Sequence, residues 1–339
     1  MKIHYSGAKG QGWGWGVFGE SIARELAKLG ALTENAADAD VALIPLADHD
    51  LNAGSPVRAR VNLAVCFFEF ELGPNAAANA AKYDLIFAGS TWCLDRLAER
   101  GITNTALLIQ GVDGAVFSPQ PKRKPDGQFR IFSGGKFEYR KGQDLVIAAF
   151  REFAKTHPEA HLVCSWFNPW PALIKQGWSE RELLMPSYQY ATQEALFADI
   201  VRYNALLRTD SDQFTILPQL SHADLAREMA NTDAGLFPNR CEGGTNLLLM
   251  EYAALGRPVI ANVLTGHADV AWAIHHKIVA DEDPQTLWAK QTIRAITNEI
   301  EMAKMMCMPG IEVNTPPRWP WSDAAEKIVT TARKYFTRL

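Results

Sequence analysis

Apolar and polar positions alternate between two periods along this chain. Short, mostly apolar runs at 2–5, 41–46, 62–68, 85–88 and 106–109 read as buried strands. Between them, apolar residues recur at helical spacing over 17–29, 76–82 and 91–100, the last opening with Ser90 as a cap. Strands and helices in turn predict a parallel sheet covered by helices. The periodicity stops at Ser118, where Pro119, Pro121, Lys122, Arg123, Lys124, Pro125 and Gly127 form a linker without apolar spacing. A second series follows, with strands at 129–132, 162–166, 214–217, 235–237 and 259–261 and helices at 143–157, 225–230 and 247–255. The chain therefore divides into an N-terminal α/β domain at 1–118 and a C-terminal one at 128–315, with a last helix at 323–339 after a Ser322 cap. The stretch 168–212, with a helical piece at 194–207, is longer than a simple connection and has no assigned role.

The most specific local pattern lies at 235–262. Gly235, Leu236 and Phe237 form a short strand stopped by Pro238; Gly243 and Gly244 make a turn; and Thr245 or Asn246 can cap the helix that follows. Gly256 and Pro258 end that helix before a strand at Val259. Glu242 before the turn and Glu251 on the helix flank an N-terminus whose free N–H groups attract anions. N–H groups for a phosphate beside carboxylates for hydroxyls suit a sugar nucleotide. An ordinary strand-turn-helix with surface glutamates is the alternative.

Composition narrows the class. A chain of 339 residues, 47% hydrophobic and 21% charged, has room for two cores and the make-up of a soluble globular protein. No segment has the unbroken apolar run of a membrane span, and the start lacks the apolar core of a secretory signal, so a cytoplasmic protein is expected. A net charge of −4 argues against general nucleic-acid binding. Cys66, Cys93, Cys164, Cys241 and Cys307 are scattered and form no paired motif, which fits buried free thiols rather than disulfides or structural zinc.

Four further constellations can carry chemistry. Gly14 to Gly19 spells G-x-G-x-x-G between the first strand and first helix, a loop that can touch a phosphate or an acceptor. A nicotinamide site is disfavoured there, because the glycines begin several residues after the strand and Asp38 and Asp40 precede the next one. Gly134 and Gly135, then Lys136, Arg140 and Lys141, place three cations where a departing diphosphate could be neutralised. Asp48-His49-Asp50 has the spacing of a metal-diphosphate site, against the commoner reading of a solvated loop. Glu69 and Glu71 follow a buried strand, where a carboxylate can position an acceptor hydroxyl or act as its base. His222 and His267 are weaker candidates near strand ends.

Taken together these residues resemble the retaining GT-B glycosyltransferases of glycosyltransferase family 4. The likeness rests on Gly14-Trp15-Gly16 with Glu25 to Gly30, on Gly111-Val112-Asp113 with Phe117-Ser118-Pro119, on Gly135-Lys136 with Lys141-Gly142, and on Pro238 through Ile260. It implies two Rossmann-like domains with parallel sheets facing a central cleft, and a last helix packing back on the first domain. It implies a donor nucleotide on the C-terminal domain and a hexose moved from a nucleoside-diphosphate sugar to an acceptor hydroxyl with retention, in polysaccharide or glycolipid synthesis. The acceptor would be a saccharide or a lipid-linked one, with peripheral contact on the inner membrane face. No metal or other cofactor is implied. Glu242 and Glu251 resemble the family's two carboxylates, for donor sugar and ribose. Lys136 and Lys141 resemble its diphosphate cations, and Gly16 its glycine loop. Gly14, Gly135, Gly243, Gly244, Thr245 and Asn246 complete the expected donor contacts, and Glu69 the acceptor side.

Three features depart from the pattern. Eight residues rather than seven separate Glu242 from Glu251, no histidine follows the strand before Glu69, and the N-terminal domain is short. They keep open two other readings, an epimerase of the same fold and a non-catalytic partner subunit that binds sugar nucleotides.

Overall fold

The computed structural model describes residues 1–10, 12–53, 59–167, 213–278, 287–307 and 319–337. Strands β1 (Ile3–Tyr5), β2 (Val41–Leu46), β3 (Val61–Cys66), β4 (Leu85–Ala88) and β5 (Thr105–Leu107) form one parallel sheet in that order. Helix α1 (Gly14–Lys28) carries the chain from β1 to Leu32, which bridges to Ile3, and the chain then crosses to pair β2 with β1. That reversal opens a crevice beyond the carboxyl end of β1. Helices α2 (Ala76–Ala80) and α3 (Thr91–Glu99) connect the later strands, and Ser90 caps α3 by accepting from the Cys93 N–H at 3.1 Å.

The second sheet contains β6 (Phe129–Lys136), β7 (Ala160–Phe167), β8 (Phe214–Ile216), β9 (Ala234–Phe237), β10 (Val259–Asn262) and β11 (His276–Ile278). Its order, β11-β10-β9-β6-β7-β8, is parallel throughout. The chain moves outward from β6 to β8 and returns to β6's other side as β9, so the second switch point lies between the ends of β6 and β9. Helices α4 (Gln143–Ala154), α5 (His222–Ala230), α6 (Leu247–Ala254) and α7 (Leu287–Met306) accompany this sheet. Leu145, Val146, Ala149, Phe150 and Phe153 put the apolar stripe of α4 into its core.

Helix α8 (Trp321–Phe336) joins the other core. Trp321, Ala325, Ile328 and Ala332 recur on one face and are buried with Val17, Phe18 and Ile22 of α1. Gly111 permits this crossing, since a Cβ there would lie 2.5 Å from the Trp321 backbone. Arg123 pairs with Asp233 at 2.9 Å and Arg257 donates to the Gln120 and Pro121 carbonyls, so the linker is pinned to the C-terminal domain. All five cysteines are free.

Some local expectations change. Helix α1 begins at Gly14, so Gly14, Gly16 and Gly19 lie within its first turns rather than in a loop. Without side chains, Gly16 and Gly19 let the Ala8 and Gly10 carbonyls approach the helix closely. Strand β6 runs on through Gly134 and Gly135 to Lys136, four residues beyond the expected end at 132. Ser322 is not the cap of α8, which starts at Trp321 with Pro320 at the cap position. The 168–212 stretch lies outside the described residues. Among those described, no helix is long and apolar enough to cross a membrane.

Candidate active site

The site grows from two loops that leave the second switch point side by side. After β6, residues 137–142 turn back into α4, with Gly142 in the left-handed region at φ 71°. After β9, residues 238–246 lead into α6. Gly142 lies so close to the second loop that a Cβ would stand 2.4 Å from the Pro238 carbonyl. Arg240 fastens the pair: its N–H donates to the Arg140 carbonyl at 2.7 Å, and its guanidinium forks onto Asp144 at 2.8 and 2.7 Å. The same guanidinium stacks on Tyr139, 3.9 Å from the ring centre.

These loops bring cations and carboxylates together. Arg140 is the hub, with Nε 2.7 Å from Glu138 and Nη1 3.2 Å from Glu242 and 3.3 Å from Glu69 on the opposite domain. Lys141 Nζ and Asn239 Nδ2 both donate to Glu242 Oε1, while the Glu242 N–H donates to Thr265 Oγ1 at 2.9 Å. Burial of Glu242, 4% exposed, opposes its ionisation, but Lys141 and Arg140 outweigh burial and hold its pKa down at about 2. Burial would also weaken the charge of Arg140, yet Glu69, Glu242 and Glu138 together raise its pKa. Lys136, at the end of β6, pairs with Glu138 at 3.1 Å.

Glu251 has the opposite environment. It is 3% exposed on α6, and among the described residues no ion pair reaches it. Burial, with a smaller push from Asp113, raises its pKa to about 8. Asn246 caps α6 with φ at 60°, accepting from the Leu249 N–H at 3.4 Å. Asn246 Nδ2 lies 3.1 Å from His267 Nε2. Burial lowers the His267 pKa to about 4, so the ring is neutral at pH 7, accepts from Asn246 and donates through Nδ1 to Asn262.

One cleft of about 250 Å³ is lined by Gly14, Glu69, Gly135, Lys136, Lys141, Glu242, Gly244, Asn246 and Glu251. The extra residue between the two glutamates does not take either out of it. Between them the 238–246 loop takes a positive φ at Asn246 and presses Gly243 against the other domain.

Gly16, Gly243 and Thr245 are placed otherwise than expected. Gly16 packs against the Gly10 backbone. The Thr245 hydroxyl is buried and donates to Met250 Sδ at 3.1 Å. Gly243 approaches the N-terminal domain: its Cβ would stand 2.1 Å from the Phe68 carbonyl, and its own carbonyl accepts from Ser90 Oγ at 2.7 Å and Cys93 Sγ at 2.9 Å. Gly12 lines the cleft where Gly16 does not, and a Cβ there would meet Gln219 across it at 2.7 Å. Asp269 strengthens the domain contact by accepting from the Thr91 N–H at 2.7 Å and hydroxyl at 2.6 Å. Gly243→Ala should therefore lower thermal stability by about 2–4 kcal/mol. Gly14→Ala, with open space around its Cβ, should leave the melting temperature unchanged or higher.

Asp48 and Asp50 hold a turn. Asp48 Oδ1 accepts from the Asp50 N–H at 2.7 Å, and Asp50 Oδ1 from the Asn75 N–H at 2.9 Å. Among the described residues no group of three or more His, Cys, Asp or Glu side chains could hold a metal. His222 lines the cleft beside Phe117, its pKa lowered by burial. Sequence reasoning missed Asn239, Thr265 and Gln110, for which no local pattern gives a signal.

No family model matches the chain. Among curated proteins, glycogen synthase from Mycobacterium tuberculosis is 24% identical over 166 residues, 49% of this chain and 33% of the relative. The chain thus spans about a third of the length of the curated relatives it matches. Among solved structures, AviGT4, a glycosyltransferase involved in avilamycin A biosynthesis, superposes with a TM-score of 0.58 at 14% identity, covering 100% of this chain and 99% of that one. The fold is GT-B. The catalytic domain of starch synthase IV from Arabidopsis thaliana, bound to ADP and acarbose, also gives 0.58, at 12% identity over 92% of this chain and 75% of that one. The pneumococcal O-GlcNAc transferase GtfA, with UDP and GlcNAc, gives 0.54 at 12% identity, covering 81% and 52%. In this GT-B chain the cleft lies between two parallel sheets, at the strand ends where α/β folds bind ligands.

Proposed function

We propose that the chain is a retaining hexosyltransferase of the family 4 type, moving a hexose from a nucleoside-diphosphate sugar to an acceptor hydroxyl. The observation that carries this reading is the paired environment of the two glutamates in one cleft. Glu242 is held as an anion by Lys141 and Arg140, whereas Glu251 is buried with no cation paired to it among the described residues. The first arrangement provides positive charge for a leaving diphosphate and a fixed carboxylate for sugar hydroxyls. The second is a carboxyl whose buried oxygens gain most from a ribose diol. Gly135 and the N-terminus of α6 offer close backbone approach to the phosphates.

In this mechanism Lys136 and Lys141 exchange their carboxylate partners for the diphosphate as the glycosidic bond lengthens. Glu242, freed from part of its pairing, orients the sugar. Glu69, reached by Arg140 from across the cleft, positions the acceptor. Gly12 and Gly14 close the donor in from the N-terminal domain. Lysine cations take the charge a divalent metal would otherwise carry, so transfer should keep at least half its rate in excess EDTA; a loss reversed by magnesium or manganese would refute the metal-free reading. The likeness to a glycogen synthase and to the catalytic domain of a starch synthase supports a place for this transfer in polysaccharide synthesis.

A thermal-shift screen against UDP, GDP, ADP and their hexoses, followed by donor hydrolysis and by NMR of the product's anomeric coupling, tests the reading. Binding with slow hydrolysis and a retained configuration supports it. Binding without hydrolysis supports the partner-subunit alternative, and donor interconversion without an acceptor supports the epimerase.

A further inference from the structure

The N-terminal wall of the cleft differs in chemistry from the donor wall, and nothing in the donor reading uses most of it. Trp13, Trp15, Phe67 and Gln110 face the cleft there, and among the described lining residues Glu69 is that wall's one ionisable group. Its charge is already met by Arg140 at 3.3 Å. The lining lysines and Arg140 all belong to the opposite wall, where carboxylates accompany them.

The aromatic surface is rigid. Trp15 packs on Phe67 with ring centres 4.7 Å apart and edge-on to Phe18 at 6.2 Å; Phe18 in turn meets Trp321 of α8 at 5.9 Å. Trp13 folds back over Gly10 and Gly16, with a Gly16 Cβ 3.1 Å from Trp13 Cε2. Both indoles keep half-buried faces in the cleft. Gln110 is 6% exposed at the cleft floor, against Gly244, and among the described residues its amide has no side-chain hydrogen bond. An amide that opens onto the cleft without a side-chain partner is available to a ligand, and one amide can accept from one hydroxyl and donate to its neighbour.

Resting on the transferase reading, we propose that this wall binds an uncharged saccharide acceptor, its C–H face on Trp15 and Trp13 and a pair of hydroxyls on Gln110. A pyranose has an apolar face and a hydroxyl rim, which match a rigid indole surface and a lone amide. Among the described residues, a phosphorylated acceptor or anionic lipid headgroup would meet no uncompensated cation on this wall.

With the donor identified by thermal shift, nucleoside-diphosphate release is measured with maltose, cellobiose and methyl β-N-acetylglucosaminide, with glucose 6-phosphate, and with phosphatidylinositol vesicles. At least one neutral saccharide should accelerate release about tenfold or more, and glucose 6-phosphate and vesicles should not. Trp15→Ala should raise the acceptor KM roughly tenfold, Trp15→Phe less than about threefold, and Gln110→Leu roughly tenfold, with the donor KM read in the same assay as the control. Acceleration by glucose 6-phosphate or vesicles alone, an acceptor KM unmoved by Trp15→Ala, or hydrolysis indifferent to every acceptor would overturn the assignment while leaving the transferase reading standing. Absence of donor binding and hydrolysis would instead bring down the transferase reading itself.

Discussion

Lys141→Ala is expected to lower kcat by about a thousandfold or more, because it removes a buried ammonium from the place where the leaving diphosphate develops charge. The substitution has a second effect that must be separated from the first. Glu242 is buried and bonded to the partly buried Lys141, so deleting the cation leaves the carboxylate side chain with Arg140 and Asn239. Breaking a buried pair this way should cost about 2–4 kcal/mol of stability. Glu242→Gln in the same chain removes the stranded charge and should restore most of the melting temperature without restoring turnover. A Lys141→Ala protein with native circular dichroism and turnover within tenfold of the parent would eliminate Lys141 from the chemistry. The pair also has a pH signature. Glu242 has a folded pKa of about 2, below its unfolded value, so its contribution is complete above about 4.5 and is lost as the pH falls from there through 2.

Glu251→Gln should have opposite effects on stability and on donor binding. Burial first, and Asp113 second, raise the Glu251 pKa to about 8 from an unfolded value near 4.5. Between those two pH values the folded chain holds a proton that the unfolded chain has released, so stability falls as the pH rises through that window. Glutamine does not titrate. The variant should therefore melt higher than the parent at pH 8 and at the same temperature at pH 4. A ribose diol donating two hydroxyl hydrogens favours the carboxylate form, so donor binding to the parent should release a proton near neutral pH. Titration calorimetry in two buffers of different ionisation enthalpy would detect that proton, and the variant should show none. Its donor Kd should rise about 10- to 100-fold, the usual cost of hydrogen bonds to a charged group. Equal affinities for parent and variant would place the ribose elsewhere.

The elements themselves were legible because burial imposes a period on the chain. Strands such as Leu85–Ala88 are buried along their length, and α4 shows its stripe of Leu145, Ala149 and Phe153, so apolar spacing alone located them. Element starts were harder to read where glycine decides packing rather than turning. Gly16 and Gly19 look like a flexible loop in sequence, yet they form a close contact between α1 and the segment before it. Ser322 looked like a cap, and Pro320 took that position because Gly111 admits Trp321 directly against its backbone.

Within the site, Lys136, Lys141, Glu242 and Glu251 could be picked out because charged residues beside glycines at strand ends are local features. Their states could not. Glu242 and Glu251 are the same residue type on one short segment, yet one is held ionised and the other pushed toward its neutral form. That difference comes from residues about a hundred positions away, since Arg140 and Lys141 reach Glu242 and none of them reaches Glu251. Sequence by itself determined two α/β halves, their linker and the carboxylates and cations at the strand ends, because periodicity and turn chemistry act over a few residues. Tertiary structure alone decided which glycines face the cleft and which join the domains, which glutamate is charged, and that Arg140 meets Glu69 across the cleft, because desolvation and Coulomb forces act between groups that only folding brings together.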